Sequence, residues 1–156
     1  MFDLPPRLIV FIVAMLPLSE LRGAIPLAIA EYGMTPAEAY LLGVLGNLVP
    51  VVFLLYFLGP IEQRLRFIKV FDRFFENLFH RTRRKHSERI DRYGALGLVT
   101  FVAIPLPVTG AWTGCAAAYV FGIQKRYSFP AIVLGVVIAG LIVTSLTHGV
   151  VNGVLK

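Results

Sequence analysis

Charge is missing from two long stretches of this sequence: residues 39–61 and 127–155 hold no Asp, Glu, Lys or Arg. A helix rises about 1.5 Å per residue and a bilayer's hydrocarbon core is about 30 Å thick, so roughly 20 apolar residues cross it. Polar residues are scarce throughout. Of 156 residues 57% are hydrophobic and mean hydropathy is +0.76, which leaves too few polar side chains to cover a water-soluble fold. Cys115 is the single cysteine, so no intramolecular disulfide forms. Metal-ligand spacing, a Walker loop and a nucleophile elbow are all missing, so no metal, no cofactor, no ATP engine and no enzyme chemistry is expected. The chain reads as an integral membrane protein of one domain, residues 1–156.

The charge that is present is unevenly placed. The net charge is +6, and ten of the fifteen Lys and Arg residues lie between positions 62 and 92. In a membrane protein such clustering marks the cytoplasmic side and is not a sign of nucleic-acid binding. Residues 8–18 look like the apolar part of a signal peptide and Ala28-Ile29-Ala30 like a cleavage site. Glu20 and Arg22 interrupt that pattern, so retention is expected.

Two further apolar regions are broken at their centres. Residues 7–31 carry Pro17, Glu20, Arg22, Gly23 and Pro26 in the middle. Residues 92–125 are broken by Ile104-Pro-Leu-Pro-Val-Thr-Gly110. Proline removes a donor and glycine loosens the backbone, and each arm of about a dozen residues reaches only part way through a bilayer. The expectation is two helical hairpins that enter and leave on one side. The halves also resemble each other: Leu16-Pro17…Tyr32-Gly33 precedes the first span and Ile104-Pro105…Phe121-Gly122 the second. With residues 62–92 and Lys125-Arg126 inside, the first hairpin dips in from outside and the second from the cytoplasm, and both termini lie outside. This is an all-α inverted repeat of re-entrant hairpin plus transmembrane helix: residues 1–60, a connector at 61–92, and residues 93–156.

The connector has Ile61, Leu65, Ile68, Phe71, Phe75 and Phe79 at three- and four-residue steps with charges between them, the pattern of an amphipathic helix. It suits the inner leaflet, with Arg81, Arg83, Arg84 and Lys85 at lipid headgroups, and equally suits docking on the protein's own core or on a second subunit.

Glu20 and Arg22 are the sharpest candidates for function, because charge inside a membrane usually marks a pathway or a paired site. Three roles are open: Glu20 carries a proton, Arg22 holds an anion, or the two neutralise each other. An exterior loop would leave both without a role. The facing tip offers Pro105, Pro107, Thr109 and Trp112 as substrate contacts, and the helix starts after each break direct partial positive charge at an anion. His148, beside Thr144, Ser145 and Thr147, is a candidate proton relay to Glu20 or a structural histidine. Asn47 and Pro50 read as helix-packing and bending residues.

Glu20-Leu-Arg-Gly-Ala-Ile-Pro26 together with Ile104-Pro-Leu-Pro-Val-Thr-Gly-Ala-Trp-Thr-Gly114 resembles the small multidrug export protein family of bacteria and archaea. That family is similar in turn to the DedA superfamily, for which opposed re-entrant hairpins, proton-dependent transport and movement of lipids have been proposed. The resemblance implies that Glu20 and Arg22 match a functional acid and base. One departure stands out: DedA proteins carry arginines around the proline of the second hairpin, where this chain has Ala103, Val108 and Thr109. The expected function is a small secondary transporter or translocase of lipids or amphiphiles in the cell membrane, coupled to protons, binding an amphiphilic or anionic lipid between the hairpin tips and working as a homodimer. The competing expectation is a membrane organiser or assembly partner acting through its basic helix.

Overall fold

The computed structural model describes residues 4–65, 88–106 and 109–154, and every regular element among them is helical. Helix α1 (Pro6–Met15) opens with proline in its first turn, where no N–H is needed. Pro17 ends it by forcing Leu16 into an extended conformation, φ −73° and ψ 142°. Ser19 Oγ donates to Val13 O at 2.9 Å, where Pro17 has no N–H to offer, beside the Leu16 N–H that the same carbonyl accepts at 3.2 Å. Helix α2 (Glu20–Pro26) widens at Pro26 into a π-helical turn, Leu27–Glu31, as expected where a proline ring crowds the carbonyl one turn back. Gly33, at φ +59°, stops it. Thr35 then caps the next helix, accepting the Glu38 N–H at 3.3 Å ahead of Pro36.

That helix, α3 (Pro36–Leu65), and α6 (Lys125–Val154) are each 30 residues long. Between them lie α4 (Glu88–Ala103), ended before Pro105, and α5 (Ala111–Val120), stopped by Gly122 at φ +67°. The two long helices run antiparallel: Tyr40 Oη, near the start of α3, donates to Val137 O in the middle of α6 at 3.5 Å, and Lys125 Nζ, at the start of α6, sits 5.1 Å from the ring of Tyr56 further along α3.

Each long helix receives one hairpin through glycines. A Cβ at Gly46 of α3 would lie 2.6 Å from Phe11 O, and one at Gly135 of α6 would lie 2.7 Å from Val102 Cβ. The first hairpin's open end lies at the start of α3, where Arg7 Nε meets Glu38 Oε1 at 2.5 Å. The second hairpin's open end lies at the start of α6, where Gly94 packs on Ile123. The hairpins therefore open at opposite ends of the α3–α6 pair, and their tips meet in its interior.

Residues Pro36–Pro60 and Lys125–Gly153 are apolar enough to span a membrane, yet only 39% of each apolar window is buried in the fold. The core helix of a soluble protein would be mostly buried. Here Leu45, Phe53, Phe57, Leu134, Leu141 and Leu146 face outward, and only lipid or another apolar surface makes that favourable. Both helices are membrane-capable by length and composition.

Candidate functional site

Glu20 is the hinge of the first tip. It opens α2 and is 6% exposed, so it does not lie in an exposed loop, and its φ of +47° lies in the left-handed region that costs a non-glycine residue roughly 1–2 kcal/mol. The conformation aims its carboxylate across at the second hairpin. There Oε2 accepts the Ala111 N–H at 3.3 Å and Oε1 the Trp112 N–H at 3.2 Å. Both donors belong to the first turn of α5, where N–H groups lack partners within the helix and the dipole favours negative charge. Gly110, which precedes α5 at φ 157°, makes room for the approach: a Cβ there would lie 2.7 Å from Glu20 Cδ.

Arg22 works in the opposite sense. Its guanidinium donates to the carbonyl oxygens of Leu106 and Thr109 and, at 3.3 Å, to Thr109 Oγ1. Those carbonyls lie in the break after α4, where backbone acceptors have lost helical partners. Thr109 Oγ1 braces the same turn, donating to Ile104 O at 2.6 Å and accepting the Leu106 N–H at 3.2 Å. The second tip replies through Trp112, whose Nε1 donates to Met15 O at 3.2 Å, at the end of α1.

Each charge is thus neutralised by backbone of the other hairpin. Glu20 and Arg22 do not form an ion pair within 4.0 Å of each other; each takes its hydrogen-bond partners from the other hairpin instead. A carboxylate needs donors and a guanidinium needs acceptors, and two broken helices supply both.

The structure brings Glu20, Arg22, Thr109 and Trp112 together, with Pro105 half-buried beside them as the residue that ends α4. Pro107 and the headgroup candidates Arg81, Arg83, Arg84 and Lys85 lie outside the described residues, as does most of the connector. His148 is not brought to the cluster. It is exposed on α6 and meets Asn152 one turn away, with Nδ2 to Nε2 at 2.9 Å.

The site has three members that the sequence did not single out for it. Gly110 and the Ala111 N–H act through backbone, which leaves no side-chain signal. Asn47 does leave one, as an amide in a charge-free span. It is 1% exposed and shares a face of α3 with Gly43, which packs on Leu21 and Ile25, and with Val51, whose carbonyl meets Cys115 Sγ at 4.0 Å. That level is the level of Glu20, and the Asn47 amide lies near enough to act on its carboxylate. Beside the cluster, Pro50, Phe53, Leu54, Phe57, Leu58 and Trp112 line an open apolar groove of about 320 Å³.

Among known proteins, no curated sequence and no solved structure matches this chain. Residues 20–142 match the family described as "Putative small multi-drug export protein". That stretch begins at Glu20 and takes in both hairpin tips and most of both long helices. The chain belongs to the small multi-drug export protein family.

Proposed function

We propose that the protein is a small secondary transporter of amphiphiles, coupled to protons through Glu20, with its substrate passing between the two hairpin tips. The observation that carries this is the exchange of Glu20 and Arg22 between the tips. A buried acid is held by donors that it can release, and a guanidinium clamps carbonyls that it can also release. A protonated Glu20 loses the charge that holds it to the α5 N-terminus, so proton uptake and parting of the tips are linked. The hairpins are read as re-entrant, and the halves as an inverted repeat whose site lies near the midplane, with the basic connector in the cytoplasm and the termini outside. Alternating access would then rock one repeat against the other. Arg22 acts as a latch between the repeats, and a homodimer would enclose the groove beside Trp112.

The test is a proteoliposome assay with a trapped pH indicator and a panel of amphiphilic cations, anions and neutral lipids. A substrate-evoked proton flux in the wild type that Glu20→Gln abolishes is the expected result. Unchanged coupling in Glu20→Gln removes Glu20 from the mechanism.

A further inference from the structure

We infer that the cavity at the start of α6 binds the anionic headgroup of a membrane lipid, held by Lys125 and the Ser128 hydroxyl, with the lipid's chain along α3. The site lies away from the hairpin tips and stands whether or not they carry a substrate.

The cavity, about 260 Å³, lies where the end of α5 and the turn after it meet α3 and the first turn of α6. Leu54, Leu55 and Leu58 give it an apolar wall on α3. Lys125 and Ser128, one turn apart on one face of α6, belong to its polar side together with Gln124. Residues 54–58 lie in the last turns of the charge-free stretch of α3, and Lys125 stands just before that of α6. The cavity therefore sits where a hydrocarbon layer gives way to headgroups.

Ser128 points to a ligand that the helix start alone would not. It lines the cavity and is 0% exposed, yet its Oγ has no hydrogen-bond partner. A serine side chain is one CH2 and a hydroxyl, so the oxygen stands at the stretch of wall that Ser128 forms. A helical serine often turns its hydroxyl back to the carbonyl four residues earlier. Here that carbonyl, of Gln124, accepts the backbone N–H groups of Tyr127 and Ser128 at 2.9 and 3.0 Å instead. A buried hydroxyl without a partner is costly, and an anionic oxygen in the cavity gives it an acceptor.

Charge around the cavity selects an anion. Lys125 is exposed and forms no ion pair among the described residues; its Nζ rests against the Tyr56 ring. No Asp or Glu lines the cavity, and the start of α6 adds partial positive charge. The end of α5 would repel an anion, but its carbonyls are occupied. Those of Ala117, Ala118 and Tyr119 accept the N–H groups of Phe121, Ile123 and Gly122 at 2.9, 2.9 and 3.1 Å. Lys125 and Ser128 are separated by about 4.5 Å along the helix axis, a gap that the oxygens of one phosphate bridge. The leucines of α3 then take the start of an acyl chain.

Native mass spectrometry of the purified, detergent-solubilised protein with short-chain lipids tests the site. Dioctanoyl phosphatidic acid should bind about tenfold more tightly than dioctanoyl phosphatidylcholine. Ser128→Ala deletes only the hydroxyl, so it should melt no lower than the wild type by circular dichroism, yet bind phosphatidic acid about tenfold more weakly. Lys125→Gln, at an exposed position that does not threaten the fold, should weaken binding about fivefold. Arg126→Gln removes the same charge from a guanidinium that stacks on Tyr127 outside the cavity lining, and should change binding little. Millimolar inorganic phosphate should leave the lipid bound. Unchanged affinity in Ser128→Ala or in Lys125→Gln overturns the inference, and so does a lower melting temperature in Ser128→Ala, because the hydroxyl would then already have a partner. An equal loss in Arg126→Gln and Lys125→Gln overturns it in favour of diffuse attraction. Equal binding of phosphatidylcholine overturns the anionic head, and displacement by inorganic phosphate overturns the lipid in favour of a soluble anion.

Discussion

Gly110 is where the two hairpins come closest to excluding each other, and Gly110→Ala tests whether Glu20 is the reason. The new Cβ would lie 2.7 Å from Glu20 Cδ, well inside contact, so the carboxylate must leave Ala111 and Trp112. Hydrogen bonds to a charged group contribute about 1.5–3 kcal/mol each. At 3.2 and 3.3 Å these two are long, so about 3 kcal/mol for the pair is the working figure at the lower bound of that range. Alanine at φ 157° adds about 1–3 kcal/mol of backbone strain. Gly110→Ala should then destabilise by about 4–6 kcal/mol, and Glu20→Ala, which loses only the hydrogen bonds, by about 3 kcal/mol. The double variant has no carboxylate to displace and should cost little more than Gly110→Ala alone. The cycle therefore predicts a coupling of about 3 kcal/mol, far above the ~0.5 kcal/mol scatter of independent sites. Equilibrium unfolding in mixed micelles, followed by Trp112 fluorescence and circular dichroism, measures it. Additive effects would refute the claim that Gly110 is glycine to admit the Glu20 carboxylate.

Other expectations follow from the same geometry. Arg22→Lys keeps the charge but cannot fork to the Leu106 and Thr109 carbonyls, so it should lose about 1.5–3 kcal/mol; spin labels at Leu18 and Leu106 should report a broader spread of distances between the tips. Gly46→Ala should cost about 1–3 kcal/mol, because a Cβ would lie 2.6 Å from Phe11 O. Gly59→Ala meets nothing within 4 Å and should be neutral or stabilising by up to about 1 kcal/mol in the same melts. In a Cys115→Ser background, Leu4→Cys and Tyr32→Cys should react with an impermeant thiol reagent from one face of the membrane, and Tyr93→Cys and Phe121→Cys from the other. Labelling of positions 4 and 32 from opposite faces would end the re-entrant reading.

Much of the helical framework was legible in the sequence because its causes are local. The charge-free stretches supply most of α3 and α6. Pro17 and Pro105 end α1 and α4 by restricting the residue before them, and the glycines of Tyr32-Gly33 and Phe121-Gly122 stop the second arm of each hairpin at positive φ. Glu20 and Arg22 stood out because charge in so apolar a chain is costly. Their partners did not stand out, since an N–H of Ala111 or a carbonyl of Leu106 belongs to the backbone, which every residue shares. His148 looked like a relay from its polar neighbours, but its place on an exposed face of α6 keeps it from the cluster.

By itself the sequence determined which segments are helical, where they break, and that two of them are long and apolar enough for a membrane, because hydropathy and proline or glycine chemistry act over a few residues. Only the tertiary structure decided that the breaks meet, that Glu20 faces the start of α5 rather than Arg22, and that Asn47 stands beside it. Those pairings join residues dozens of positions apart through glycine-lined crossings, and unpaired backbone groups take whatever partner the packing delivers.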